Sequence, residues 1–180
     1  MSIEINIMKG FIKFSISVLC ALAITACEAK EPEMVGGLAG VVFNYSQDWI
    51  GSVHINGHTV GRAIDDAKVG QTKGGGGSIC CSLALSPTDG TVEALVKTSE
   101  GDYTTKATIE HPWPSDPDTV KVHILPGRKI VIEVGYAGIG GRKDLLEAQI
   151  KALGLKQEMP FSDLMRSGPH EYTEYYQSKK

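Results

Sequence analysis

At 180 residues the chain has room for one domain, and 42% hydrophobic with 22% charged residues suits a folded core and excludes an intrinsically disordered chain. Formal charge is -3, from 18 basic and 21 acidic residues. No basic cluster of the kind a nucleic-acid surface needs is visible, so no nucleic-acid partner is expected. The 21 glycines and 8 prolines favour many short strands joined by turns over long helices.

The amino terminus is an address. Lys9 and Lys13 precede an apolar run from Phe14 to Ala23, too short for a permanent membrane span and suited to a signal peptide. Met8 is an alternative start to Met1, since the residues between them add nothing a signal needs. Ile24-Thr25-Ala26-Cys27 resembles a bacterial lipobox, which implies cleavage before Cys27, a thioether-linked lipid on its sulfur and an acylated amino group. Several acyl chains exceed the two-signal threshold for stable anchoring. Ordinary secretion after Ala26 is the competing reading. Glu28 stands where an Asp would signal inner-membrane retention, so an outer-membrane anchor facing the periplasm is expected. The expected layout is a signal peptide over 1–26, a lipidated tether over 27–37, a β domain over 38–138 and a helical extension over 139–180.

Leu38 to Tyr45 reads as a strand rich in β-branched and aromatic residues. Ser46-Gln47-Asp48 turns the chain into a partner from Trp49 to Asn56, and Asn56-Gly57 is a strong hairpin signal. From His58 to Lys73 glycines, charges and isolated aliphatics interrupt the pattern, so a long loop is expected. It leads to Gly74-Gly75-Gly76-Gly77-Ser78-Ile79-Cys80-Cys81. Four glycines in a row hold regular structure only at high entropic cost, yet Ile79 to Leu85 has the apolar character of a buried strand. The run is either a flexible connector or a shaped loop, stiffened by a disulfide, that a partner touches.

Of four cysteines, Cys20 leaves with the signal and Cys27 carries lipid, so Cys80 and Cys81 remain as neighbours. Leftover thiols in an oxidising compartment normally pair, but adjacent Cα atoms stand only about 3.8 Å apart, below the usual disulfide span. Either a strained vicinal disulfide kinks the chain, or the strand stays regular and Cys81 points inward with Ile79 and Leu83.

Beyond Ser86-Pro87-Thr88-Asp89-Gly90, Val92, Ala94 and Val96 alternate with polar neighbours. Tyr103, Thr105, Ala107 and Ile109 return after the Ser99–Asp102 turn. His111 to Asp118 holds three prolines and is no central strand. Val120, Val122 and Ile124 alternate with Lys121 and His123, and Pro126-Gly127-Arg128 turns into Ile130, Ile132 and Val134. About seven strands with one polar face each predict an all-β, antiparallel, immunoglobulin-like β-sandwich. After Gly135 the period changes: Leu145, Leu146, Ala148, Gln149, Ile150 and Leu153 fit a helix from Lys143 that stops at Gly154. A second short helix over Phe161–Arg166 and a tail carrying Tyr172, Tyr175 and Tyr176 complete the chain.

Chemistry finds little footing. There is no nucleophile elbow, zinc-protease helix, phosphate loop or dinucleotide fingerprint, so no catalytic residues, metal or cofactor are expected. His54 and His58 lie in a strand and a turn, where a four-residue spacing does not stack two imidazoles. Asp65-Asp66 and the carboxylates of Asp116 and Asp118 lack the further oxygen ligands that calcium needs. Trp49 opens a strand and is expected in the core. Trp113, between two prolines in a stiff surface connection, is either a partner anchor or a cap on the open end of the sandwich.

Phe43-Asn44-Tyr45, Trp49-Ile50, Val53-His54-Ile55-Asn56-Gly57, a variable stretch, and the glycine run ending in Cys80-Cys81 together resemble a group of small proteobacterial lipoproteins known as a domain of unknown function. The resemblance spans roughly Leu38 to Tyr136, with the paired cysteines as its specific mark, and the helical extension departs from it. Members are commonly encoded beside phospholipase effectors of the type VI secretion system. This implies an immunity protein that binds and neutralises the cognate secreted phospholipase from a lipid anchor in the membrane. On that basis Asn56, Gly57, Gly74, Gly75, Gly76, Gly77, Ser78 and Trp113 are the expected partner-binding residues. A structural or assembly lipoprotein of the envelope or the secretion apparatus is the competing class.

Overall fold

The computed structural model describes residues 33–74, 79–137, 140–156 and 168–169. The signal peptide, Cys27, Gly75 to Ser78, the expected second helix and the tyrosine tail lie outside the described residues. Everything described belongs to one compact unit that starts at Glu33.

Among the described residues nine strands alternate with turns: β1 Val35–Asn44, β2 Ile50–Ile55, β3 His58–Ile64, β4 Lys73–Gly74, β5 Ile79–Leu85, β6 Thr91–Thr98, β7 Tyr103–Ile109, β8 Thr119–Leu125 and β9 Lys129–Gly135. They hydrogen-bond in the order β3-β2-β6-β7-β9-β8-β1, and the far flank of β1 carries both β4 and β5. The all-β class holds. The seven-stranded immunoglobulin-like sandwich does not describe this arrangement, because the strands form one continuous sheet that curls into a nearly closed barrel. Two parallel pairings, β1 with β8 and β7 with β9, join the hairpins that an antiparallel sandwich would have kept in separate sheets.

Strands β1 and β3 meet by packing, and hydrogen bonds join only their far ends, from Asn44 Nδ2 to the Asp65 carbonyl at 3.0 Å and from the Ala67 amide to the Ser46 carbonyl at 2.9 Å. A Cβ on Gly40 in β1 would stand 2.7 Å from the Cβ of Val60 and 2.8 Å from its carbonyl oxygen, and one on Gly61 in β3 would overlap Val42. Both positions therefore need glycine for the strands to approach. The first part of the stretch expected to be a long loop is this strand. Bulges hid it: the β2–β3 register slips between Val53 and His54, and Ala63 takes φ +50°. Val60 and Ile64 face inward while Arg62 between them is exposed, so the period-two alternation of a strand is broken.

Inside the barrel, Val53, Ile55, Ala94, Val96, Val120, Val122, Ile124, Ile130, Ile132 and Val134 form one apolar core. Each comes from the inward half of a period-two pattern. The outward faces of β8 and β9 are also buried, because helix α1, Lys143–Ala152, packs over them through Leu145 and Leu146 against Phe43, Tyr45, Leu125 and Val131. The helix begins where expected. It ends with the Gly154 amide bonded to the carbonyl of Lys151, the Leu155 amide bonded to that of Ile150, and Gly154 at φ +68°. These two bonds are the Schellman stop that only glycine accepts at low cost.

Candidate functional site

Two places concentrate unusual chemistry. The first lies under α1. Lys121 and His123 on β8 and Glu133 on β9 alternate with core residues and read from sequence as a solvent-facing set. All three are no more than 2% exposed, as is Arg142 just before the helix. Lys121 and Glu133 are direct cross-strand partners, and the Lys121 ammonium donates to Glu133 Oε1 at 3.2 Å. The other carboxylate oxygen lies 3.5 Å from His123 Nε2 and 3.7 Å from Arg142 Nη1. The Arg142 guanidinium forks onto both oxygens of Glu110 and onto both oxygens of Asp144. Burial disfavours its charged form, but the hydrogen bonds to Asp144 and Glu110 outweigh that and raise its pKa. Tyr45 Oη accepts the Arg142 amide at 2.8 Å and lies 3.3 Å from His123 Nδ1, while Phe43 stacks on the imidazole.

This cluster resembles an active site in composition, but its inner members are almost fully buried. Its effect is mechanical. It ties the end of β7, strands β8 and β9 and the start of α1 to one another. Gln149 adds a second tie, donating to the carbonyl of Tyr45 at 2.6 Å and accepting the Gly70 amide at 3.0 Å. Counting back from the Pro126-Gly127-Arg128 turn would have paired Lys121 with Glu133. What hides both is the helix that begins at Lys143, shortly after β9 ends.

The second place is exposed and holds the residues singled out by sequence. Cys80 and Cys81 are joined in a disulfide, with Cα atoms 3.6 Å apart. Cys80, Cys81 and Ser82 are all exposed, and inward alternation resumes at Leu83 and Leu85. Cys81 takes φ +76°, so the alternative in which it points inward from a regular strand is not the one adopted. Gly74 is exposed in β4 opposite Phe43.

Asn56 and Gly57 form the exposed two-residue turn between β2 and β3, with φ +49° and +80°. Positive φ at both central residues is the type I′ geometry that Asn-Gly suits. Strand directions place this turn at the end of the barrel where β1 starts, while Gly74 lies beside the last residues of β1. The two halves of the expected contact surface therefore sit toward opposite ends.

Trp49 is not in the core expected for it, and Trp113 takes the capping alternative. Trp49 is 43% exposed and lies over Gly51, where a Cβ would meet its ring. Trp113 is half-buried against the barrel core, stacks on His111 with ring planes 5° apart and donates from Nε1 to the carbonyl of Glu110 at 3.1 Å. It caps the barrel at the same end as Asn56-Gly57. His54 sits between the Ser52 and Thr59 hydroxyls at 2.9 and 3.2 Å, away from any metal-like arrangement. Among the described residues no group of three His, Cys, Asp or Glu side chains is placed to hold a metal ion. Nor is any described helix long and apolar enough to cross a membrane. Comparison with protein-family models, with curated proteins and with solved structures finds no match to this chain.

Proposed function

We propose that this chain is a lipid-tethered, periplasm-facing binding protein that neutralises a cognate phospholipase delivered by the type VI secretion system. The observation that carries the reading is the exposed flank of β1. There an edge strand carries an exposed, covalently joined cysteine pair on a barrel with an apolar core. Loops and edges on a rigid scaffold can occlude a cleft without doing chemistry. A lipid on Cys27 would hold such a scaffold at the bilayer an incoming lipase must attack, raising its effective concentration there. The fixed geometry of the Asn56-Gly57 turn and of Trp113 offers a second, smaller contact at one end of the barrel.

The test is co-purification of the full chain with the product of the adjacent gene, followed by a lipase assay. Stoichiometric complex formation and loss of lipase activity are expected. Substituting Cys27→Ser is expected to move the protein from the membrane to the soluble fraction and to weaken protection of intact cells while leaving inhibition in solution unchanged. Binding to an envelope or secretion-apparatus component with no effect on lipase activity would instead support the assembly reading.

A further inference from the structure

Strands β4 and β5 run along the same flank of β1 in the same direction, and the register between them is uneven. From Phe43↔Gly74 to Gly40↔Ile79, β1 advances three positions while its partner advances five. From Gly40↔Ile79 to Leu38↔Leu83, β1 advances two while its partner advances four. Each interval thus holds two residues more than a straight ladder would. The second surplus lies within Cys80 to Ser82. A regular ladder continued from Leu38↔Leu83 would set Cys81 opposite Gly40 and Ile79 opposite Val42.

Nothing in the core accounts for the second surplus, since Cys80, Cys81 and Ser82 are all exposed. A non-glycine residue at φ +76° persists only where its surroundings over-determine the backbone. Here the over-determining element is the bond between the two sulfurs. We infer that Cys80–Cys81 is an exchange site for a dithiol, and that its redox state sets the register of β5 on β1.

The chemistry balances with the dithiol as the sole co-reactant. Its thiolate attacks one sulfur, forming a mixed disulfide and releasing the other cysteine as thiolate. The second thiol of the reagent then displaces the first cysteine. Two electrons and two protons pass to Cys80 and Cys81, and the dithiol leaves as a cyclic disulfide. With the ring open, Cys81 is free to take an extended backbone, face inward with Leu83 and Leu85 and regain ladder bonds to Gly40. Ile79 then moves two positions along β1. This inference does not depend on what the surface binds.

Hydrogen exchange on the full chain, oxidised and then held in excess dithiothreitol, tests it. Exchange over Cys80–Ser82 is expected to slow by about tenfold on reduction, the ratio one ladder hydrogen bond supports, with the β6–β7 hairpin unchanged. Cys80→Ser with Cys81→Ser is expected to reproduce the reduced pattern without responding to dithiothreitol. Cys80→Ser with Cys81→Gly is expected to keep the oxidised pattern, because glycine holds positive φ without a bond. Unchanged or faster exchange over β5 on reduction would overturn the inference. So would identical patterns in the two double variants, or two free thiols by alkylation in protein prepared under air. If a variant fails to fold, the reduction arm on the native chain decides alone.

Discussion

The flank of β1 and the chamber under α1 solve opposite problems. On the flank, small residues with little to bury are held in an irregular path by one covalent bond and are open to solvent. Under the helix, two cations and three carboxylates are packed beside an imidazole, and the inner members are almost fully removed from water. Charges so placed add little net stability over a well-packed apolar cluster, but removing one partner strands the others. The comparison teaches that chemically rich residues need not lie on the exposed surface. In this chain the ionisable set fastens the scaffold, and Gly74, Cys80 and Cys81 face outward.

The largest expected effect comes from breaking the fastening. Arg142→Met is expected to lower unfolding free energy by about 3–5 kcal/mol, because Glu133 and Glu110 lose a shared buried counter-ion. Denaturant titration measures it. Arg142→Lys should recover little, since an ammonium cannot fork onto Glu110 and Asp144 together. A loss below about 1 kcal/mol for either variant, the range of exposed ion pairs, would remove the contrast between the two regions.

Next comes the closure of the barrel. Gly40→Ala drives a methyl group against the backbone of Val60, and an overpacking cost of about 1–3 kcal/mol is expected. The same titration reads it. The edge itself should matter less to the fold. Replacing both Cys80 and Cys81 by Ser is expected to change global stability by about 1 kcal/mol or less, because a bond between neighbours closes almost no loop. A larger loss would mean that the flank, like the chamber, serves to hold the barrel together.

The smallest effect is confined to high pH. Burial raises the Tyr103 pKa, Asp48 adds to the rise, and Arg128, stacked 4.9 Å over the ring, opposes it. The folded state thus prefers the neutral phenol more than the unfolded chain does. That contribution is complete below the ordinary tyrosine value of 10.0 and is lost as pH rises through the higher folded value. Phenolate absorbance during alkaline titration should show one tyrosine ionising late, and Arg128→Ala should delay it further.

Much of this was legible in the sequence where local signals were consistent. The alternation of β6 through β9, the Asn56-Gly57 turn and the helix from Lys143 to its Gly154 stop all follow from spacing and turn chemistry. What was not legible depended on packing that local spacing does not encode. Gly61 reads as a breaker until Val42 is seen against it. Trp49 reads as core until Gly51 offers its ring a shelf on the surface. Lys121, His123 and Glu133 read as a wetted face until α1 covers them. Parallel pairing of β1 with β8 joins segments some eighty residues apart, and no period-two pattern encodes which strand will be the neighbour.

One consequence follows from the way β3 meets β1. Their contact is made by interlocked aliphatic groups with no shared ladder, so parting them breaks only the hydrogen bonds at their far ends. Heat or mechanical pull is therefore expected to open the cylinder along that line first, while the strands on either side remain zipped. The first species to form on denaturation is then an unrolled sheet that has lost its bore but kept its pairings.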